Sequence, residues 1–391
     1  MIKSSKIYIL ISMIILFTLI DSNIAYGADY INDELYSISA ALIDGDTGRV
    51  LFHKNGEEIR PMASTTKIMT LIIALEYGDM EDIVTVSSYA SKMPDVQLGI
   101  KEGEQYKLKD LYYSLMLESH NDVAVAIAEH IGGDIQGFAD MMNNKAEELG
   151  LENTYFITPN GLDSTDSKGT HSTTAIELGL IMKYCVMDSS KKDTFIEICQ
   201  TREYNFMDFD KERSFTVHNK NAYLDMMEGV IAGKTGFTAD AGYCYVAAVE
   251  KDGRNFIIAL LGCGWPNNKT YKWKDSNKLF NYAFENFHIT EITSDKTPMK
   301  TIEVPDGTPK VYIDTYIKEH ISLVCSKNDK IKLKYRIPQI IKPPVKTNDI
   351  VGYIDIYIND VLFKTINVYS MDNTNEKDYN YYFKRVLEII I

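Results

Sequence analysis

Cysteine is scarce, with five in 391 residues, and no two of them form a CxxC pair. That spacing excludes a zinc ribbon or a dithiol redox centre, and the seven histidines show no HExxH pattern, so no metal is expected. Cys185, Cys199, Cys244, Cys263 and Cys325 are odd in number and widely separated. They read as buried small apolar residues, with one disulfide left open for an exported chain. Cations are also in short supply, 41 Lys and Arg against 55 Asp and Glu, which leaves a net charge of −14. Binding a phosphate backbone requires clustered Lys and Arg, so no nucleic-acid partner is expected. Internal repeats and low-complexity tracts are missing, and 45% hydrophobic residues exclude a disordered chain. Two ordinary domains suit this length.

Only one long apolar run occurs, and it lies at the start. Lys3 and Lys6 precede the uncharged stretch from Ile7 to Ile20, and Ala25-Tyr26-Gly27 supplies small residues where a signal peptidase reads. The run stops at Asp21, short of the roughly 20 residues a spanning helix needs. Residues 1–27 are therefore expected to be a signal peptide cleaved before Ala28, and the protein to be exported.

Past the leader, Ser39–Ile43 and Arg49–His53 flank Asp44-Gly45-Asp46-Thr47-Gly48, which reads as a hairpin. A second hairpin follows much later, Val246–Val249 and Phe256–Leu261 around Lys251-Asp252-Gly253-Arg254. One antiparallel sheet built from both ends of a long segment is expected, with a helical insertion between. Ile68, Leu71, Ile72 and Leu75 fall at helical spacing, as do Leu108, Leu111 and Leu115, then Val123, Ala126, Ile127 and Ile131 before Gly132-Gly133. From Thr301 to Tyr369 the chain turns rich in Ile, Val, Tyr and Lys, with prolines that suit short strands. Ile354, Ile356 and Ile358 alternate onto one face before Asn359-Asp360. In the last stretch Tyr379, Tyr382, Phe383, Val386, Leu387 and Ile390 line one helical face, a pattern that fits a helix lying in a membrane interface.

Three short motifs carry chemistry. Ser64 and Lys67 stand three apart at the start of the apolar helix, which places hydroxyl and amine on one face and the unpaired N–H groups of the helix end beside them. Alone, a Ser-x-x-Lys arises by chance about once in a chain of this length. Ser119-His120-Asn121 sits where two helices join and can turn a hydroxyl and a carboxamide inward. Gly233-Lys234-Thr235-Gly236 precedes the second set of strands, and its glycines let a substrate backbone approach a sheet edge.

In this order the three motifs form the signature of penicillin-binding proteins and class A β-lactamases. Over essentially all its mature length the chain resembles the low-molecular-mass D-alanyl-D-alanine carboxypeptidases, peptidase family S11. Pro159-Asn160-Gly161-Leu162-Asp163, His171-Ser172-Thr173-Thr174-Ala175 and Gly262-Cys263-Gly264-Trp265-Pro266 look like that family too. His120 departs from the small residue common at its position and is expected to point away from the reacting centre.

The resemblance implies an α+β fold: a β-lactamase/transpeptidase-like domain over residues 28–290, its antiparallel sheet flanked by a helical region. A small all-β C-terminal domain over 296–372 and an amphipathic helix over 375–391 would follow. It implies catalytic roles for Ser64 as nucleophile, Lys67 as its base and Ser119 as a proton relay between Lys67 and the leaving amine. Asn121 would bind the substrate amide, a charged Lys234 with Thr235 the terminal carboxylate, and Gly236 would be a further substrate-binding position on the strand. The backbone N–H of Phe237 would complete an oxyanion hole with that of Ser64. The implied substrate is a peptidoglycan stem peptide ending in D-Ala-D-Ala, with β-lactam antibiotics as covalent inhibitors. No cofactor is implied, and the terminal helix would hold the enzyme on the outer face of the cytoplasmic membrane. Two other readings are a class A-like β-lactamase, with Glu177 as its only candidate deacylating glutamate, and a catalytically silent peptidoglycan-binding protein.

Overall fold

The computed structural model describes residues 34–94 and 96–390, so the expected signal peptide lies outside the described residues. The described chain divides into two compact units, one containing residues 34–285 and the other residues 286–390.

In the first unit the sheet is assembled from both ends of the segment. Strands β1 (Ser39–Asp44) and β2 (Val50–Lys54) form the first hairpin, and β7 (Val230–Thr238), β8 (Gly242–Lys251) and β9 (Arg254–Leu261) come about 180 residues later. The order is β2-β1-β9-β8-β7, antiparallel throughout, with Ser39 opposite Leu261 across the junction of the two sets. Strand β7 is thus an edge, free on one side to meet another chain in extended form.

Between β2 and β7 lies the helical region: α1 (Lys67–Tyr77), α2 (Leu108–Leu117), α3 (Asn121–Gly132), α4 (Ile135–Glu148), α5 (Ala175–Lys183) and α6 (Lys192–Gln200). A seventh, α7 (Tyr271–Asn286), follows β9. Helix α1 is buried on all sides from Lys67 to Leu75, so it forms the axis of the unit rather than an amphipathic surface helix. Asp134 and Thr174 cap α4 and α5 by accepting from the backbone N–H groups of Gly137 and Glu177. Two short hairpins, β3 (Ile83–Thr85) with β4 (Gln105–Lys107) and β5 (Glu203–Met207) with β6 (Ser214–His218), interrupt the region. At three residues each, β3 and β4 carry too few alternating positions to register in the sequence. All five cysteines are buried free thiols, and no disulfide forms among them.

The second unit is all β apart from its last helix. A four-stranded antiparallel sheet runs in the order Thr315–Ile317, Val361–Ser370, Ile350–Ile358, Ile331–Arg336, and its core includes Ile302, Ile313, Leu323, Ile354, Ile356 and Val368. Asn359 and Asp360 both take positive φ, 52° and 65°, as the two-residue turn between the long strands requires. Asp355, between two core isoleucines, is buried as well, because Arg336 grips it through Nε and Nη2 at 2.7 Å each and Thr365 donates to it. Helix α8 (Tyr379–Ile390) buries none of its residues, and its apolar face, Tyr379, Tyr382, Phe383, Val386, Leu387 and Ile390, is exposed. Among the described residues no helix is long and apolar enough to cross a membrane.

Candidate active site

The turn that carries Ser64 is a single 3₁₀ turn, Ala63–Thr66, leading into α1. Thr65 and Thr66 fold their hydroxyls back onto the carbonyls of Met62 and Ala63, and Ala63 is held at φ 48°, an uncommon conformation for a residue with a Cβ. This geometry turns Ser64 toward β7. A Cβ on Gly236 would stand 2.8 Å from the Ser64 nitrogen and 3.0 Å from that of Thr65, so only glycine lets the strand edge come this close.

Lys67 Nζ lies 2.8 Å from Ser64 Oγ, 2.9 Å from Asn121 Oδ1 and 2.7 Å from the Asn160 carbonyl. Its amine is fully buried, and burial first, then the neighbouring Lys234, holds its pKa well below the ordinary lysine range against the opposing pull of Asp122. Lys234 Nζ donates to Ser119 Oγ at 2.8 Å and to the carbonyl of Thr235 at 2.9 Å. Burial pulls Lys234 down to about 7, so its charge at neutral pH depends on what enters the cleft, whereas the sequence reading assumed a fixed cation.

The eight residues named from the motifs thus converge on one place: Ser64, Lys67, Ser119 and Asn121 on helix ends and turns, Lys234, Thr235, Gly236 and Phe237 along the exposed edge of the sheet. Two partnerships differ from expectation. The Ser119 hydroxyl faces Lys234 rather than Lys67, on a residue held at φ 70°. The Asn121 carboxamide is engaged within the protein, its Oδ1 by Lys67 and its Nδ2 donating to the Pro94 carbonyl at 3.1 Å. His120 is buried beside Ser114, 2.8 Å from its Oγ, and burial lowers its pKa.

Sequence reasoning gave no role to the Asn160 carbonyl, which takes Lys67 and, at 3.3 Å, Ser64 Oγ as well. A main-chain oxygen has no side-chain signature; the turn-forming Asn160-Gly161 pair was its only trace. Asp122 was missed too: its carboxylate accepts from the backbone N–H groups of Leu98, Gly99, Ile100 and Val123, pinning the loop whose Pro94 holds Asn121. Glu177 lies in the first turn of α5, where it accepts from Asn153 N, Asn153 Nδ2 and Thr154 Oγ1. That carboxylate is a structural tie to the 153–154 turn, which removes the feature a β-lactamase reading relied on. Among the described residues no group of three or more His, Cys, Asp or Glu side chains could hold a metal ion.

The first unit matches the D-alanyl-D-alanine carboxypeptidase family, Peptidase_S11, over residues 28–264, and residues 287–376 match the penicillin-binding protein 5 C-terminal domain. The D-alanyl-D-alanine carboxypeptidase DacF of Bacillus subtilis is 29% identical over 322 residues, covering 80% of this chain and 79% of that one. DacC of Escherichia coli is 28% identical over 365 residues, 90% of this chain and 86% of its own. Penicillin-binding protein 5 of Haemophilus influenzae superposes with a TM-score of 0.69 at 24% identity over 88% of this chain and 98% of that structure, a likeness of fold. By its family match, and with a serine beside a buried lysine at the sheet edge, this chain belongs to the D-alanyl-D-alanine carboxypeptidases, the serine peptidases of family S11.

Proposed function

We propose that this protein removes the terminal D-alanine from peptidoglycan stem pentapeptides through an acyl-enzyme on Ser64, and that β-lactams acylate the same oxygen. The observation that carries the reading is the 2.8 Å contact between Ser64 Oγ and a lysine whose burial holds its pKa well below the ordinary lysine range. A neutral amine has two N–H donors and one lone pair. In the structure Lys67 donates to Asn121 Oδ1, the Asn160 carbonyl and Ser64 Oγ; once it loses a proton, the first two still take its donors and the lone pair faces Ser64.

Ser64 Oγ attacks the carbonyl between the two D-alanines while Lys67 takes its proton. The backbone N–H groups of Ser64 and Phe237 hold the oxyanion. Lys234 and Thr235 pair with the terminal carboxylate, which accounts for a requirement for a free C-terminus. Ser119 gives a proton to the departing amine, and the proton gained by Lys67 restores the hydroxyl once Ser119, held by Lys234 in the resting site, turns toward Lys67. Water then hydrolyses the ester and frees the shortened peptide.

Intact-mass spectrometry of the chain from Ala28 incubated with benzylpenicillin is expected to show a persistent adduct, with D-alanine released from a pentapeptide in parallel. Ser64→Ala should show neither. An adduct on Ser64→Ala would move the nucleophile elsewhere, and a transient wild-type adduct with drug turnover and no D-alanine would replace the reading with a β-lactamase.

The same reading places the enzyme outside the cytoplasm, on the outer face of the cytoplasmic membrane. It is supported by the leader sequence and by α8, whose apolar face is unburied while Lys384, Arg385 and Glu388 lie opposite. Co-sedimentation with phospholipid vesicles should be lost when residues 379–391 are removed, with benzylpenicillin acylation unchanged; equal sedimentation of both forms would sink the anchor.

A further inference from the structure

His171 belongs to a segment that the catalytic scheme leaves unused, yet its ring joins the two walls that hold Lys67. It is 2% exposed. Its Nε2 lies 2.8 Å from Thr66 Oγ1, and that hydroxyl already donates to the Ala63 carbonyl, so Nε2 carries the proton and Thr66 accepts it. Its Nδ1 accepts from the backbone N–H groups of Ile157 at 2.9 Å and Thr158 at 3.3 Å. Every polar atom of the ring is committed, in one tautomer. Burial holds its pKa at about 4, so the ring stays neutral through the working range.

The two ends of this bridge are significant. Thr66 stands between Ser64 and Lys67 on the nucleophile turn. Ile157 and Thr158 lead into Pro159-Asn160-Gly161, whose Asn160 carbonyl accepts from Lys67 and Ser64. The same loop is fastened a turn further along by Thr70, which donates to the Pro159 carbonyl at 2.6 Å. At Gly161, φ +83°, an added Cβ would lie 2.0 Å from the Ala63 carbonyl, so loop and turn are in backbone contact and a small change in their spacing displaces Asn160. A misplacement of about 1 Å in a catalytic array costs of the order of 10²-fold in rate.

From this bridge we infer that His171 is a positioning residue for the base: it sets the distance between the nucleophile turn and the Asn160 carbonyl, and through that carbonyl the placement of the Lys67 amine against Ser64. The inference rests on the reading of Ser64 and Lys67 as nucleophile and base. Failure of that reading would appear separately, as a wild-type chain that benzylpenicillin does not acylate.

The test is the rate of benzylpenicillin acylation as a function of pH for the full chain, for the single variants His171→Phe, His171→Asn and Thr66→Val, and for the double variant that carries both His171→Phe and Thr66→Val. His171→Phe should acylate about 10²-fold more slowly, with the acid limb of the profile displaced because Lys67 has lost its fixed acceptor. His171→Asn, which keeps an acceptor for the Ile157 N–H, should recover about a tenth or more of the wild-type rate, about tenfold above the phenylalanine variant. The double variant should be no slower than His171→Phe, since both changes cut one bridge. If His171→Phe does not fold, Thr66→Val carries the test by the same displaced acid limb. Unaltered acylation, or a slower rate with the acid limb unmoved and the two changes additive, would overturn the inference and leave His171 as a packing residue.

Discussion

Replacing Lys67 by methionine is expected to slow acylation of Ser64 about 10²- to 10⁴-fold, the usual contribution of a placed general base. The substitution preserves the length and apolar stem of a side chain that is 0% exposed, and removes the one amine 2.8 Å from the nucleophile. The pH dependence separates loss of the base from loss of shape. On the proposed mechanism the wild-type amine must shed its proton before it can take that of Ser64, so acylation is expected to rise with pH through the lowered pKa of Lys67. Burial is the first cause of that lowering and the charge of Lys234 the second. In Lys67→Met the rising limb should vanish and leave a slow, flatter profile, read by stopped-flow acylation with a chromogenic β-lactam. A variant that acylates within a few-fold of wild type, or keeps the rising limb, would exclude Lys67 as the base.

How much of this site was legible in the sequence follows from what kind of group does each job. Ser64, Lys67, Ser119, Asn121 and Lys234 are side chains in short motifs at helix ends and on an edge strand, and the structure brings them into two neighbouring hydrogen-bonded sets, Lys67 with Ser64 and Asn121, and Lys234 with Ser119. The sheet of β1, β2, β8 and β9 was readable because its strands are long apolar runs around Gly/Asp turns. The partners within the cluster were not. Whether Ser119 meets Lys67 or Lys234 depends on a backbone held at φ 70°, which no spacing encodes. The Asn160 carbonyl and the four N–H groups gathered by Asp122 are main-chain atoms or depend on them, and they become visible only when loops far apart in sequence close on one another. Burial is the other hidden quantity: a lysine in a Lys-Thr-Gly motif reads as a cation, and only the packed site shows that its charge is conditional.

That conditional charge sets the second large expected effect. Lys234→Gln should lower kcat/KM for D-alanine release about 30- to 4,000-fold, the equivalent of about 2–5 kcal/mol for removing one partner of a buried charge pair. The loss should be specific to the carboxylate. A pentapeptide amide, expected to be a poor substrate for the wild-type enzyme, should be affected little, so the preference for acid over amide collapses. The pH profile gives the sign independently. With Lys234 pulled down to about 7 by burial, the free enzyme carries the cation below that pH and loses it above. Carboxylate binding then weakens as pH rises, and kcat/KM should fall toward a tenfold loss per unit on the alkaline side, while the substrate, once bound, holds the proton in place and keeps kcat flatter. Lys67 requires the opposite, deprotonation, so the wild-type profile should be bell-shaped, its acid limb belonging to the base and its alkaline limb to the carboxylate clamp. Lys234→Gln should lose the alkaline limb and keep the acid one. An alkaline limb that survives in Lys234→Gln, or an unchanged preference for the free acid, would assign carboxylate recognition to another group.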